Sequence, residues 1–197
     1  MPGSFSYSCK FGFVALVLLA ALAPALPVRA QTTAPAASLD SATGAYLLNF
    51  LRFVEWPPSA RLPAASAPYI IGVSGNRPLL DTLIRLVEGQ RVRGHPILVV
   101  KVKNINDLLA CNLVYLEPPG TEGDSGLRLA EALLALRGMP VLTVSTAENF
   151  TVIGGNIQLF REASSLRFNI ATQAFSENGL TFNSRLLALS RPLPTSR

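Results

Sequence analysis

Few side chains in this sequence could do chemistry, and their spacing argues against catalysis. The single histidine, His95, sits beside Pro96 at the entrance of an expected strand. A Ser-His-Asp site would have to recruit it, and neither Thr43, Ser74, Ser125 nor Ser184 lies in a G-x-S-x-G elbow. His95 and Cys111 are too isolated to form a clustered metal-ligand set. Carboxylates for acid–base work could be drawn from Glu55, Glu117, Glu148 or Glu162, but 12 acids permit such pairs by chance. Gly72-Val73-Ser74-Gly75-Asn76 could cradle a phosphate between strand and helix, yet it lacks both the GxGxxG spacing and a P-loop lysine, so it reads as an ordinary βα turn. The basic run Arg91, Arg93, His95, Lys101 and Lys103 reads as a solvated edge, with an anion site as the alternative. No enzyme, cofactor or metal chemistry is expected from these residues.

The N-terminal stretch has the pattern of a secretory leader. Lys10 precedes an unbroken apolar run from Phe11 to Ala23, followed by Pro24, Pro27 and the small-x-small site Val28-Arg29-Ala30. The run is shorter than the roughly 20 residues a membrane span needs. An uncleaved anchor is the alternative. Cleavage after Ala30 would remove Lys10, Arg29 and Cys9, lowering the formal charge of +5 and leaving Cys111 as the one cysteine. A mild, scattered positive charge on an exported chain does not call for nucleic acid. Cys111 then cannot form an intrachain disulfide, and its apolar surroundings read as those of a buried thiol, with an intermolecular bridge as the alternative. The expected organisation is a leader at 1–30, a flexible Ala/Thr/Pro/Ser spacer at 31–41, one domain at 42–191 and a tail at 192–197.

The domain is organised around Tyr46 to Pro57, YLLNFLRFVEWP. Leu47, Phe50, Leu51 and Val54 make one apolar helical stripe, and Leu48, Phe53 and Trp56 widen it. Asn49, Arg52 and Glu55, spaced by three, form a narrow polar ridge, and Pro57-Pro58 ends the helix. Such a helix needs cover on two sides, either from a sheet or, in part, from another protein. Ser41 or Thr43 could cap its start.

Downstream, Tyr69–Val73 reads as a strand, and a helix with Leu79, Leu80, Leu83, Ile84, Leu86 and Val87 inward stops at Gly89. Strands follow at Pro96–Val102 and Leu113–Leu116. A helix capped by Ser125, with Leu127, Ala130, Leu133, Leu134 and Leu136 inward, leads to a strand at Val141–Val144. Alternating segments at 157–160 and 166–170, joined by Arg161–Ser165, make a hairpin. A short helix over Ala171–Glu177 and a last apolar segment, Ser184–Leu189, close the domain. The expected fold class is α/β: a mixed, mostly parallel sheet with helices on both faces and a C-terminal antiparallel hairpin.

Several blocks, in order, carry a family resemblance: YLLNFLRFVEWP, Gly75-Asn76-Arg77-Pro78, Arg93-Gly94-His95-Pro96, Arg137-Gly138-Met139-Pro140-Val141-Leu142-Thr143-Val144-Ser145, Gly154-Gly155-Asn156-Ile157, Arg167-Phe168-Asn169-Ile170 and Ser184-Arg185-Leu186-Leu187. Together they resemble the YfiR family of bacterial periplasmic proteins. The resemblance implies an α/β domain, a homodimer in many members, that binds the periplasmic sensing region of a membrane-bound diguanylate cyclase and holds it inactive, lowering cyclic di-GMP and biofilm formation. A periplasmic module for a small molecule, without a cyclase partner, is the alternative. Asn49, Arg52, Phe53, Glu55 and Trp56 are the expected partner-binding residues, and Arg167 and Arg185 the expected contacts for an anionic small-molecule signal. The family often pairs a first-strand cysteine with the one matching Cys111; here that strand position is Gly72, which removes the crosslink.

Overall fold

The computed structural model describes residues 35–58, 66–120 and 127–192. The leader expected at 1–30 and most of the tail therefore lie outside the described residues, as does Ser125. Helix α1 spans Pro35–Phe53 and passes into a two-residue strand β1, Val54–Glu55. Then come β2 (Tyr69–Ser74), α2 (Arg77–Val87), β3 (Arg91–Val92), β4 (His95–Val102), α3 (Ile105–Leu109) and β5 (Leu113–Leu116). The chain continues with α4 (Leu129–Leu136), β6 (Leu142–Ser145), β7 (Ile157–Glu162), β8 (Ser165–Ile170), α5 (Thr172–Glu177), β9 (Thr181–Phe182) and α6 (Ser184–Leu189).

Seven strands form one sheet in the order β3-β4-β2-β5-β6-β7-β8, and β1 pairs separately with β9. The central strands β4, β2, β5, β6 and β7 are parallel, while β3–β4 and β7–β8 are antiparallel. This is the mixed, mostly parallel α/β sheet with a C-terminal hairpin that the alternation of elements predicts. The period of two along each strand divides the core between the faces. Ile71, Val73, Leu113, Tyr115, Leu142 and Val144 join α1 and α2 in one cluster. Val114, Leu116 and Val102 join α3 and α4 in the other.

Several expectations are corrected by tertiary contacts. Helix α1 begins at Pro35, inside the expected spacer, so neither Ser41 nor Thr43 is its cap; proline suits a first turn whose amides have no intrahelical partner. The helix also ends at Phe53 instead of running to Trp56. The carbonyls of Phe53 and Val54 would need amide donors from Pro57 and Pro58, which have none. Asn183 N donates to Phe53 O at 3.1 Å instead, and the Arg93 guanidinium donates to Val54 O at 3.1 Å and Arg52 O at 3.2 Å.

Two helix faces are narrower than the sequence suggests. In α2, Leu79, Leu83 and Val87 are buried, whereas Ile84 and Leu86 are exposed. Helix α4 starts at Leu129 after Arg128 and buries Ala132, Leu133 and Leu136, which turns Ala130 and Leu134 outward. The hairpin loop is two residues, not five, because Glu162 pairs with Ser165; Ala163 takes the tight turn at φ 53. The βα turn after β2 is structural: Asn76 Oδ1 accepts from Leu79 N at 2.8 Å and caps α2.

Candidate functional site

The end of α1 carries the ridge singled out in the sequence. Asn49, Arg52 and Glu55 are exposed and Phe53 is half-buried, although Glu55 now projects from β1. Arg52 donates to Gln90 Oε1 at 3.4 Å. Trp56 differs from its neighbours: it is 7% exposed, with its ring centroid 5.5 Å from that of Tyr69. Its indole N–H is buried without a hydrogen-bond partner among the described residues. Behind the ridge, Phe50 packs against Phe168 at 5.1 Å and Tyr46 at 5.8 Å, and the Tyr46 hydroxyl donates to Leu166 O at 2.9 Å. The buried side of α1 beneath the ridge is therefore packed against the hairpin.

The basic cluster is largely occupied with backbone carbonyls. Arg93 caps the carbonyl end of α1, where the helix dipole favours a cation. Arg91 donates to Gly94 O at 2.8 Å, and His95 Nδ1 lies 2.9 Å from Ala67 O. Sequence reading missed this role of Arg93, since its partners lie 39 and 41 positions away.

Arg167 and Arg185 occupy different elements, β8 and α6. Glu162 binds Arg191 at 2.6 Å and Arg167 at 3.4 Å. The hydrogen bond from Arg191 is the main reason the Glu162 carboxyl sits below its usual pKa, with Arg167 adding to it. The Arg167 charge is thus already shared, while Arg185 is exposed.

Cys111 is buried and free, and its Sγ lies 3.1 Å from Asp107 O. Burial, reinforced by the Asp107 charge, pushes its thiol up to about 12. At neutral pH the thiolate that would act as nucleophile is scarce. A thiol-reactive disulfide reagent is therefore expected to leave the folded mature protein unmodified over minutes and to label one thiol in denaturant; fast labelling of the native protein would contradict this burial.

A second feature was not legible beforehand. A cavity of about 620 Å³ lies between α4, the 151–154 loop and α5, with Leu134 and Val152 on its walls. Neither Arg167 nor Arg185 lines it.

These features define an α/β domain with an exposed polar ridge at the end of α1 and a cavity beside α4. The chain belongs to the YfiR/HmsC-like family, whose model matches residues 40–191. A comparison with curated proteins returned no match. Family members are periplasmic regulators, and no helix among the described residues is long and apolar enough to cross a membrane.

Proposed function

We propose that this protein binds the periplasmic sensing region of a membrane-bound diguanylate cyclase and holds it inactive, itself performing no catalysis. The observation that carries this reading is the family match over residues 40–191. The exposed polar ridge at the end of α1 supports it. Asn49, Arg52 and Glu55 would supply the polar contacts, with half-buried Phe53 between them. Trp56 would act from beneath as the packed support of that surface. Repression would operate on an exported homodimer, and a small-molecule signal would release the cyclase by binding the free form preferentially. Arg185, with Arg167 beside the Glu162 pair, would meet an anionic signal.

The test is cyclic di-GMP content with and without the gene. Deletion is expected to raise it, and the exported protein, but not a leaderless version, is expected to restore it. Arg52→Glu combined with Glu55→Arg reverses both exposed charges of the ridge. At such surface positions the stability change is expected to stay within about 0.5 kcal/mol, so loss of repression by a folded variant would identify the surface. Unchanged cyclic di-GMP on deletion would remove the cyclase from this account.

A further inference from the structure

The two edges of the main sheet are finished differently. At one end the backbone of β8 is covered: Arg191 N donates to Phe168 O at 2.8 Å, Asn169 bridges to Arg191, and Leu166 O takes the Tyr46 hydroxyl at 2.9 Å. At the other end β4 has β2 along its inner side over Ile97–Val102, whereas on its outer side β3 reaches only His95 and Pro96. Among the described residues no strand pairs with the outer side of β4 beyond Pro96.

An open edge presents a row of unpaired amides and carbonyls, and a long apolar one is a template for a strand of another chain. Ile97-Leu98-Val99-Val100-Lys101-Val102 holds a single charge. Its own domain covers it poorly: β5 and β6 are buried along their whole length, yet Ile97, Val99 and Val100 are half-buried and Leu98 is 47% exposed. The helices packed on β4 repeat the pattern, since α2 leaves Ile84 in solvent and α3 leaves Ile105 and Leu109 there. Apolar surface thus gathers on both sides of the open edge.

A second copy of the chain carries the same free strand. A two-fold axis normal to the sheet would pair the two strands antiparallel and satisfy both edges at once. Such an axis keeps each sheet face continuous, so directly opposite residues must come from the same face. Ile97 and Val99 lie on the face of α1 and α2, with Lys101 in step; Val100 and Val102 lie on the other, with Leu98 in step.

Two features then select the register. Setting Val99 opposite its own mate would place Val102 against Pro96, whose outer side β3 already occupies. Setting Lys101 opposite its own mate would oppose two like charges, which destabilises a cross-strand pair. Larger shifts run further into β3 or oppose Lys101 to Lys103. Setting Val100 opposite Val100 avoids all of these, with Leu98 against Val102 and Val99 against Lys101. Leu98 then meets the other copy at the end of its strand, just before the chain enters α3.

We propose that this chain forms a two-fold dimer through the outer edge of β4, with Val100 opposite Val100. The inference deepens the homodimer included in the proposed function and rests on that part alone, without the cyclase.

The test is sedimentation equilibrium of the mature protein, with disulfide trapping to read the register. The parent is expected to dimerise with a Kd at or below about 10 μM. Leu98→Arg alters a side chain already in solvent, so the circular dichroism spectrum is kept while the Kd rises at least about tenfold, because a charge enters each half of the interface. In a Cys111→Ala chain, which removes the competing thiol, Val100→Cys should give a disulfide-linked dimer on oxidation, since opposite Cα atoms stand about 4.5–5.5 Å apart, within disulfide range. Lys101→Cys should not, because its mate is displaced by two residues and the Cα atoms lie beyond about 7 Å. Bridging at 101 but not at 100 would overturn the register. A parent dimer that Leu98→Arg leaves intact and that neither cysteine traps would overturn the edge while sparing the homodimer, and a monomer at about 100 μM would overturn both. A monomeric parent whose repression was still lost in Leu98→Arg would assign the edge to a strand of another protein instead.

Discussion

Trp56→Ala is expected to destabilise the fold by about 3–5 kcal/mol, the range for emptying a buried large aromatic position. A domain of this size has about 5–15 kcal/mol in total, so the loss is a large share of its stability. The indole is 7% exposed and begins a run of ring contacts: 5.5 Å to Tyr69, then 5.6 Å from Tyr69 to His95. His95 is itself fixed at Ala67 O, 2.9 Å away. Removing Trp56 therefore loosens the exit of α1 from the sheet as well as opening a void. The measurement is urea unfolding, where the midpoint should fall with little change in slope. Trp56→Phe separates packing from polarity. It keeps most of the apolar volume and deletes an N–H that is buried without a partner, a group whose burial costs about 1–3 kcal/mol. The phenylalanine variant should consequently lose less than about 1.5 kcal/mol. A loss as large as alanine's would show that the indole N–H makes a stabilising bond in solution. For function, the pair has a practical consequence: lost repression in Trp56→Ala would reflect unfolding, whereas lost repression in a stable Trp56→Phe would place the indole at the partner surface.

The same region shows what local sequence can carry. The apolar stripe Leu47, Phe50, Leu51 and Val54 is buried as its spacing predicts, because periodicity reports the face that must leave water. The end of the helix depended on distant residues. Pro57 and Pro58 announce two carbonyls without donors, but nothing nearby says that Asn183 and Arg93 will supply them. Likewise, Leu134 fits a wide apolar face shared with Leu133 and Leu136, but the neighbours of α4 cover only Ala132, Leu133 and Leu136, which leaves Leu134 in solvent. The ridge was legible because it lies on one continuous segment. The cavity was not, since its walls come from α4, the 151–154 loop and α5, and the Asn156–Thr143 bonds that organise its floor span 13 positions.

Gly72→Cys is expected to create a disulfide with Cys111 and to make stability strongly dependent on reductant. A Cβ placed on Gly72 would lie 2.7 Å from Cys111 Sγ. That is close to the cross-bond separation in a disulfide, whose S–S length is about 2.0 Å. The same Cβ would also lie 2.7 Å from Val102 Cγ2, so Val102 has to shift. In reductant the variant should therefore be less stable than the natural chain by about 1–3 kcal/mol, as an overpacked core position. Oxidation closes a loop of roughly 40 residues, for which chain entropy gives roughly 4 kcal/mol. The sign should reverse between the two conditions: below the parent when reduced, at or above it when oxidised. Gly72→Ser supplies the steric cost without the bond and should remain destabilised in both. Urea midpoints with and without reductant, together with a count of titratable thiols, read the result. Two free thiols and no response to reductant would show that β2 and Cys111 cannot approach as drawn. The glycine thus has a physical explanation distinct from a turn: it leaves room for the Cys111 thiol and Val102 against the strand. With β2 this close to Cys111, a single side chain at position 72 should be enough to form the bond.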